Sequence, residues 1–499
     1  MSSLASPKFT LFHGAVVNPV NLHHYDAHPH ALLCVDAYGD IAWIEEHVPD
    51  ALVQDVMAKR GLLDSTDVSL IQLKKSEFLM PGFIDTHTHA PQVPNMGAGQ
   101  QYELLDWLEH VTFPMEKRFE DVKFARETYK AAIRRVIDCG TTTCCYYATL
   151  HVEATKILAD IIHEYGQRAF VGKCNMNRNC PHDYIEPSTE ASIAGTHDVI
   201  SHIQRLPSLP TPSEHPHADA SQLVHPILTP RFAISSTPDL LSALSAIAHG
   251  DSSLRIQTHI SENVHEIEFT KSLFPECKTY ADVYDKYGLL RHNTVLAHAV
   301  HLEEEEMEVV RQRGSGISHC PTSNFNLTSG VCKVGELLDR GIKVGLGTDV
   351  SGGFSPSILT AIQHASIASK VVSFTPKPDH HPKHKPHFAN NALPVSALLH
   401  LATLGGAHVC DLGSRVGSFA PGKAFDALVV SVSSRAGNPA IWGVEVDEAL
   451  GIERGLAGHG GEDHLKRMVE AFMFCGDDRN ILRVYVQGRV IGGREWKRD

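Results

Sequence analysis

The sequence lacks the features of several large classes of protein. Its 499 residues contain no apolar run long enough to cross a bilayer, and residues 1–20 lack the basic start and apolar stretch of a secretory signal. Acidic residues outnumber lysine and arginine, and the net charge of −14 disfavours binding to a phosphate backbone. We therefore expect a cytoplasmic protein with neither a membrane nor a nucleic acid among its partners.

The sequence also lacks a disulfide framework. Its cysteines number 11, an odd total, and follow no regular spacing. Cys34 and the pair Cys144 and Cys145 lie in apolar, strand-like runs. Such positions are typical of buried thiols in a reducing compartment, which agrees with a cytoplasmic location.

Between residues 80 and 405, short apolar strands alternate with longer helical stretches such as 120–138 and 154–165. Eight β/α units in succession predict a parallel (β/α)8 barrel. The predicted strands are 83–85, 141–147, 169–174, 226–230, 256–260, 294–298, 316–319 and 343–348.

Both ends of the chain are rich in short β-strands. We expect residues 1–79 and 406–499 to form one small β-domain beside a barrel domain that occupies 80–405, which makes the fold class α/β. Brief runs of β-branched, aromatic and other apolar residues mark the strands of this β-domain, at 10–17, 31–36, 41–44, 427–432 and 482–490.

Three segments interrupt this pattern as insertions, at 206–222, 374–390 and 435–465. The second insertion contains a histidine-rich tract, and such tracts can bind metal. Its prolines prevent the fixed spacing that a metal site needs, so we expect a solvated loop. The histidines of this tract are His380, His381, His384 and His387.

The most informative motif ends the predicted first strand, at Asp85-Thr86-His87-Thr88-His89. Residues i and i+2 of a strand point to the same side, so the two imidazoles converge. Ligands in a barrel lie at the carboxyl ends of its strands, and three further strands end near His259, His298 and Asp349. Nitrogen and oxygen ligands of this kind suit zinc, with ferrous iron as the competitor.

A catalytic metal usually has three protein ligands and one position open for water. Because four histidines and Asp349 would crowd it, we expect His298 or Asp349 to act mainly on the water or the substrate. Glu262 follows His259 by three residues, where a carboxyl group can reach a substrate over the metal and transfer a proton. An acid in the first turn of a helix is the ordinary alternative, but the neighbouring His259 favours the catalytic role.

Two absences narrow the kind of metal site. The predicted fourth strand holds no lysine between residues 225 and 232, so the bridging carboxylated lysine of binuclear barrel hydrolases is missing and one metal is expected. His151-Val152-Glu153 matches the first half of the H-x-E and P-C-x-x-C signature of one class of zinc deaminases. No P-C-x-x-C follows it, which argues strongly against that class.

Longer motifs surround the candidate residues, at 81–92, 229–232, 258–263, 318–324 and 345–353. With them the chain resembles the amidohydrolase superfamily over nearly its full length, and within it the guanine deaminase branch. The metal motifs indicate only the superfamily. Gln92 and the pair Arg231 and Phe232, together with 401–406 and 476–481, point to the guanine branch.

The resemblance implies a role for each candidate residue. Gln92 and Arg231 would hold the purine, with Arg231 donating to its carbonyl oxygen, while Phe232 would pack on the ring or serve as an ordinary core aromatic. His298 would lie close to the metal and contribute to catalysis and substrate binding. One zinc per chain would be held by His87, His89, His259 and Asp349.

The implied reaction is hydrolysis of guanine to xanthine and ammonia. Water activated by the metal and Asp349 would attack C2 while Glu262 protonates N3, and the two carboxylates would exchange acid and base roles. The same metal set would also serve a deaminase or hydrolase of a pterin, an adenine-like base or a triazine. A non-catalytic scaffold on the same fold would be expected to lack some of the ligands. A homodimer is a further expectation of the family.

Overall fold

The computed structural model describes residues 8–63, 65, 67–209, 222–374, 388–441 and 460–497. The central part of each predicted insertion lies outside these ranges, and so does the histidine-rich tract at 380–387. Among the described residues, no helix is long and apolar enough to cross a membrane.

The first part of the chain supplies five strands to a mixed sheet. β1 pairs with β2 in antiparallel fashion and with β4 in parallel. The sequence predicts the first three of these strands, and the structure adds the last two. The five strands are β1 (Phe9–Pro19), β2 (Tyr25–Asp36), β3 (Ile41–Glu45), β4 (Val68–Gln72) and β5 (Glu77–Pro81).

A second sheet of parallel strands forms the predicted barrel, and the predicted fold class is confirmed. Each predicted strand has its counterpart, except that 169–174 is divided into two strands on either side of Lys173. The barrel strands are β6 (Phe83–His89), β7 (Thr141–Tyr147), β8 (Arg168–Gly172), β9 (Cys174–Asn175), β10 (Val224–Pro230), β11 (Arg255–Ile260), β12 (Thr294–His298), β13 (Gly316–His319) and β14 (Lys343–Leu346).

The barrel closes where the end of β14 meets β6. The Asp349 N–H donates to the His87 carbonyl at 2.9 Å, and the His89 N–H donates to the Val350 carbonyl at 3.1 Å. These bonds lie at the carboxyl ends of the strands. The main chain therefore brings the residues after β14 beside the histidines of β6.

Strands from the end of the chain complete the first sheet. β15 (Ala427–Ser431) pairs antiparallel with β5, and β16 (Ile481–Val486) and β17 (Arg489–Gly492) extend the sheet beyond it. Both chain ends thus share one sheet, as the sequence predicts. The division of domains at residues 80 and 405 stays a prediction.

Helices cover the barrel and pack against the sheet. Local signals set their ends: the Asp121 carboxylate accepts from the Lys123 and Phe124 N–H groups at the start of α4, and Gly166, with φ of 76°, ends α5. The α-helices are α1 (Val53–Lys59), α2 (Leu104–Trp107), α3 (Phe113–Lys117), α4 (Val122–Asp138), α5 (Val152–Tyr165), α6 (Thr189–Gln204), α7 (Pro238–Gly250), α8 (Val264–Leu273), α9 (Tyr280–Lys286), α10 (Glu304–Arg313), α11 (Pro321–Asn326), α12 (Val334–Asp339), α13 (Ile358–Ser373), α14 (Val395–His400), α15 (Gly406–Val409) and α16 (Gly460–Cys475).

Shorter helical turns connect these elements. Short 3-10 helices lie at Asp50–Leu52, Ala90–Asn95, Arg118–Glu120, Ala233–Ser235, Ser434–Ala436 and Asp478–Asn480. π-helical turns lie at Leu108–Thr112, between α2 and α3, and at Leu401–Gly405, between α14 and α15. The first π turn matters for the site, because it brings apolar side chains over the mouth of the barrel.

Candidate active site

Four side chains predicted to bind metal meet at the carboxyl end of the barrel. Asp349 Oδ1 lies 3.1 Å from His87 Nε2 and 3.4 Å from His89 Nε2. His259 Nε2, from the end of β11, lies 3.3 Å from His89 Nε2. The ligand atoms of His87, His89, His259 and Asp349 all lie within 4.8 Å of one another.

The protonation of this group fits a cation. His259 Nδ1 donates to the Arg231 carbonyl at 2.6 Å, which leaves a lone pair on Nε2 facing the group. His87 Nε2 is buried without a hydrogen-bond partner among the described residues. Burial lowers the pKa of each of these three histidines, which favours the neutral imidazole that a metal ligand needs.

Asp349 completes the donor set as a carboxylate. Burial by itself would raise its pKa, but His87, with His298 and His89, lowers the pKa of Asp349 below its usual range. Imidazole nitrogens and one carboxylate oxygen therefore converge on the same small volume. Three imidazoles and one carboxylate are a donor set that suits a divalent first-row metal.

His298 and Glu262 lie beside this group. His298 Nδ1 donates to Asn324 Oδ1 at 2.9 Å, and its Nε2 lies 3.3 Å from Glu262 Oε2 and 3.7 Å from Asp349 Oδ2. Ser329 Oγ donates to Glu262 Oε1 at 3.0 Å. Burial raises the pKa of Glu262 to about 7, so both of its protonation states are accessible near neutrality.

The backbone at the strand ends directs these side chains. His298 has φ of 74° and Asp349 has φ of 44°, both in the left-handed region. Such backbone costs on the order of 1–3 kcal/mol for a residue other than glycine and persists where the surrounding structure holds it, most often at functional sites. At His298 it ends β12, and at Asp349 it lies three residues beyond the end of β14, in both cases where the side chain enters the site.

A cavity lies above the cluster. One wall is apolar and comes from α2, the π turn and the end of α11, through Leu104, Trp107, Leu108 and Leu327. All the predicted site residues except His87 line this cavity. They are His89, Gln92, Arg231, Phe232, His259, Glu262, His298 and Asp349.

Sequence reasoning missed Glu116, which is fully buried in α3. Gln92 Nε2 donates to its Oε1 at 2.7 Å, and Arg231 Nη1 donates to its Oε2 at 2.6 Å. In the sequence, Glu116 lies between Met115 and Lys117 in a short stretch that resembles a helix surface. Only the phenylalanines at 113 and 119 hint that this helix is buried.

The sequence assigns no role to Asp85, which lies two residues before His87. It is buried in β6 and accepts from the His87 N–H at 3.2 Å and from Thr348, through its N–H at 3.0 Å and its Oγ1 at 2.5 Å. Burial raises the pKa of Asp85 to about 7. A charged residue inside an apolar strand was the signal that could have found it.

Two further polar residues of the barrel, His319 and Lys173, do not line this cavity. His319, the last residue of β13, lines a different cavity with Cys332 and Val334. Lys173 donates to the Cys174 carbonyl at 2.9 Å and pairs with Glu186, in agreement with a structural role. Among the described residues, a second group that could hold a metal comprises His28, Glu46 and His47 and lies at the surface.

Comparisons with known proteins agree with this geometry. Residues 78–491 match the amidohydrolase family. A protein of Schizosaccharomyces pombe named "Probable guanine deaminase" is 44% identical over 92% of this chain and 79% of its own length. The guanine deaminase of Dictyostelium discoideum is 38% identical over 96% of this chain and 98% of its own length.

A solved structure extends the likeness to the fold. The crystal structure of guanine deaminase from C. acetobutylicum, with guanine bound in its active site, has a TM-score of 0.79 and 32% sequence identity. The match covers 97% of this chain and 99% of the other. The chain therefore belongs to the amidohydrolase family, in its guanine deaminase branch.

Proposed function

We propose that the protein hydrolyses guanine to xanthine and ammonia, with Glu262, Asp349 and His298 as its catalytic residues. The observation that carries this proposal is one cavity that joins a metal-ligand group to Glu262, Gln92 and Arg231. The relatives named as guanine deaminases cover nearly all of the chain. They do not favour a pterin, adenine-like or triazine substrate, and the complete ligand group argues against a non-catalytic scaffold.

The polar side chains of the cavity suit guanine. Arg231 carries five N–H groups and can donate to the carbonyl oxygen of the purine, while Gln92 offers an amide that both donates and accepts. Phe232 lies at the cavity with its ring centroid 6.4 Å from that of His259, where an apolar edge can contact a flat ring. A few fixed polar groups in a mainly apolar cavity are enough to orient a neutral ligand.

His87, His89, His259 and Asp349 would hold one zinc ion. A zinc ion bound there would supply a water whose pKa is lowered to about 7, available as a nucleophile at neutral pH. Asp349 faces the group through Oδ1 and reaches toward His298 through Oδ2. These distances support Asp349 as the group that takes a proton from that water.

Glu262 would move the proton that the ring needs. Its carboxyl group donates a proton to N3 of guanine as water adds at C2. The proton that Asp349 accepted from the water then reprotonates Glu262. His298 and Ser329 keep the Glu262 carboxyl in place from two sides. The hydroxyl group that water leaves on C2 then gives up its proton, which passes through Asp349 to the exocyclic amine. The C2–N bond breaks, ammonia leaves and the C2 carbonyl forms, so guanine and water become xanthine and ammonia.

The first test is ammonia release from a panel of purines, pterins and triazines, with metal content measured on the same sample. We expect guanine to be the preferred substrate and the active protein to contain about one zinc per chain, the usual count for a mononuclear catalytic site. Removal of the metal with a chelator should abolish turnover, and added zinc should restore it. Release of ammonia from a pterin or another purine, but not from guanine, would contradict the assignment of guanine as the substrate.

We also propose that the protein is a cytoplasmic homodimer. The dimer is supported by the expectation for the family, and the location is supported by cysteines that are all free among the described residues. Light scattering on the purified protein tests the dimer. A monomeric mass at micromolar concentration would contradict it.

A further inference from the structure

Glu116 joins the two side chains that are proposed to bind the purine. Its Oε1 accepts from Gln92 Nε2 at 2.7 Å and from Arg231 Nη2 at 3.1 Å. Its Oε2 accepts from Arg231 Nη1 at 2.6 Å and from the Tyr184 hydroxyl at 2.8 Å. Glu116 is fully buried and stands behind Gln92 and Arg231, which themselves line the cavity.

These bonds fix the orientation of both side chains. The Ser351 N–H donates to Gln92 Oε1 at 3.1 Å, so the Gln92 amide is held at its oxygen and at its nitrogen. Arg231 gives one N–H from each of two nitrogens to Glu116, in the paired geometry that restricts a guanidinium most. The ring of Phe113 supports the guanidinium from 5.2 Å away. The remaining Arg231 donors are therefore presented to a ligand in one arrangement.

Glu116 also sets the charge of the cavity wall. Burial alone would lower the pKa of Arg231, but Glu116 raises it above its usual range, so the guanidinium stays charged. A buried guanidinium without a carboxylate would attract anions, whereas the pair with Glu116 is neutral overall. Such a pair presents fixed N–H donors without a net charge, which suits a neutral ligand with a carbonyl oxygen.

We infer that Glu116 is a positioning residue that makes the cavity selective for a neutral purine with a carbonyl oxygen at C6. This inference rests on the proposed function. It assigns Glu116 no contact with the ligand, since the residue acts through Arg231 and Gln92. The selectivity therefore depends on α3, a helix outside the strands that form the barrel.

Glu116→Gln tests the inference, because glutamine has the same size but no charge. The probes are hypoxanthine, which carries the C6 carbonyl, and purine, which lacks it, each used as an inhibitor of guanine turnover. We expect the inhibition constant of hypoxanthine to rise on the order of 10- to 100-fold. This is the change in affinity expected when a hydrogen bond to a charged group is lost. Inhibition by purine should stay close to the wild-type value. KM for guanine should rise more than kcat falls.

Asp426→Asn is the matched control. It breaks a buried pair of the same type, in which Arg168 Nε donates to Asp426 Oδ2 at 2.9 Å, away from the cavity. This variant should lose stability but keep the wild-type ratio of hypoxanthine to purine inhibition. If Glu116→Gln does not fold, as judged by circular dichroism, Glu116→Asp replaces it. The shorter carboxylate cannot reach all four donors, so the ratio should change in the same direction.

The outcomes separate this inference from the proposed function. Equal weakening of both inhibitors in the Glu116 variant, or the same change of ratio in Asp426→Asn, would overturn the positioning role while guanine turnover by the wild type stands. A wild-type protein that releases no ammonia from guanine would instead overturn the proposed function, and the C6 selectivity with it.

Discussion

Glu262 and Glu266 are two acids on the same turn that have different partners. The Glu266 carboxylate accepts from the Glu262 N–H at 2.8 Å and from the Asn263 N–H at 3.2 Å, and with Asn263 it forms the capping box of α8. Because Glu266 caps the helix, the Glu262 side chain is free to turn toward His298. Glu266 is thus the acid in the first turn of the helix, which was the alternative role expected for Glu262.

At this scale we predict that Glu262→Gln lowers kcat for guanine by about 10²- to 10⁴-fold, the usual contribution of a general acid or base. Metal content should not change, since Glu262 does not belong to the ligand group. Steady-state kinetics and metal analysis of the same sample measure both. Glu306→Gln is the control, because Glu306 is a buried acid that caps α10. A kcat equal to that of the wild type in Glu262→Gln would show that Glu262 is not the proton donor.

At the scale of elements, α16 connects the terminal sheet to the barrel. The ring of Phe472 stacks on Phe83 of β6 at 6.2 Å between centroids and contacts Phe78 of β5 edge-on at 6.0 Å. Buried side chains recur along the helix at spacings of three and four, which is the pattern of one apolar face. These residues are Leu465, Met468, Val469 and Phe472.

We predict that Phe472→Ala lowers the free energy of unfolding by about 3–5 kcal/mol, because it leaves a cavity between two sheets. Phe474 lies on the same helix and is 39% exposed. The matched variant Phe474→Ala should therefore cost less than about 1 kcal/mol. Urea denaturation measures the two values. Similar losses in both variants would mean that α16 does not anchor the sheet to the barrel.

At the scale of the whole molecule, one buried ion pair joins the barrel to the terminal sheet. Arg168 of β8 donates to Asp426, just before β15, through Nε at 2.9 Å and Nη2 at 3.2 Å. The Gln487 N–H, just after β16, also donates to Asp426 Oδ1 at 2.8 Å. Both side chains of the pair are almost fully buried.

We predict that Asp426→Asn lowers the free energy of unfolding by about 3–5 kcal/mol, because it leaves a buried guanidinium without its carboxylate. The control is Glu495→Gln, which breaks the exposed pair of Arg483 and Glu495 in the same sheet and should cost about 0–1 kcal/mol. Thermal and urea unfolding compare the two. A loss in Asp426→Asn no larger than in the control would show that the pair contributes little to holding the two sheets together.

Much of the fold was predictable from local pattern. Alternation of apolar strands and helices repeats within short windows, so the eight barrel strands were found close to their observed bounds. The candidate metal ligands could be grouped because parallel strands in a barrel end at one rim. The strand ends at His89, His259 and His298 therefore had to lie near one another once the barrel was assumed.

Glu116, Asp85 and α16 could not be predicted in the same way. A glutamate on a short helix is exposed in most proteins, and only the packing of α3 against Tyr184 and Arg231 buries Glu116. Asp85 acquires its role from Thr348, 263 positions later. Helix α16 begins inside a segment that was taken for an insertion.

By itself the sequence determined the succession of barrel units, the convergence of the His87 and His89 side chains and the sharing of a sheet by both chain ends. Each of these follows from local periodicity or from a general rule of barrels. Only the tertiary structure decided which polar groups lie behind the cavity and how Arg231 is oriented. It also decided that Glu266, and not Glu262, pairs with Asn263 in the capping box of α8. Those outcomes depend on hydrogen bonds between residues distant in the chain, whose geometry is set by the packing of the whole molecule.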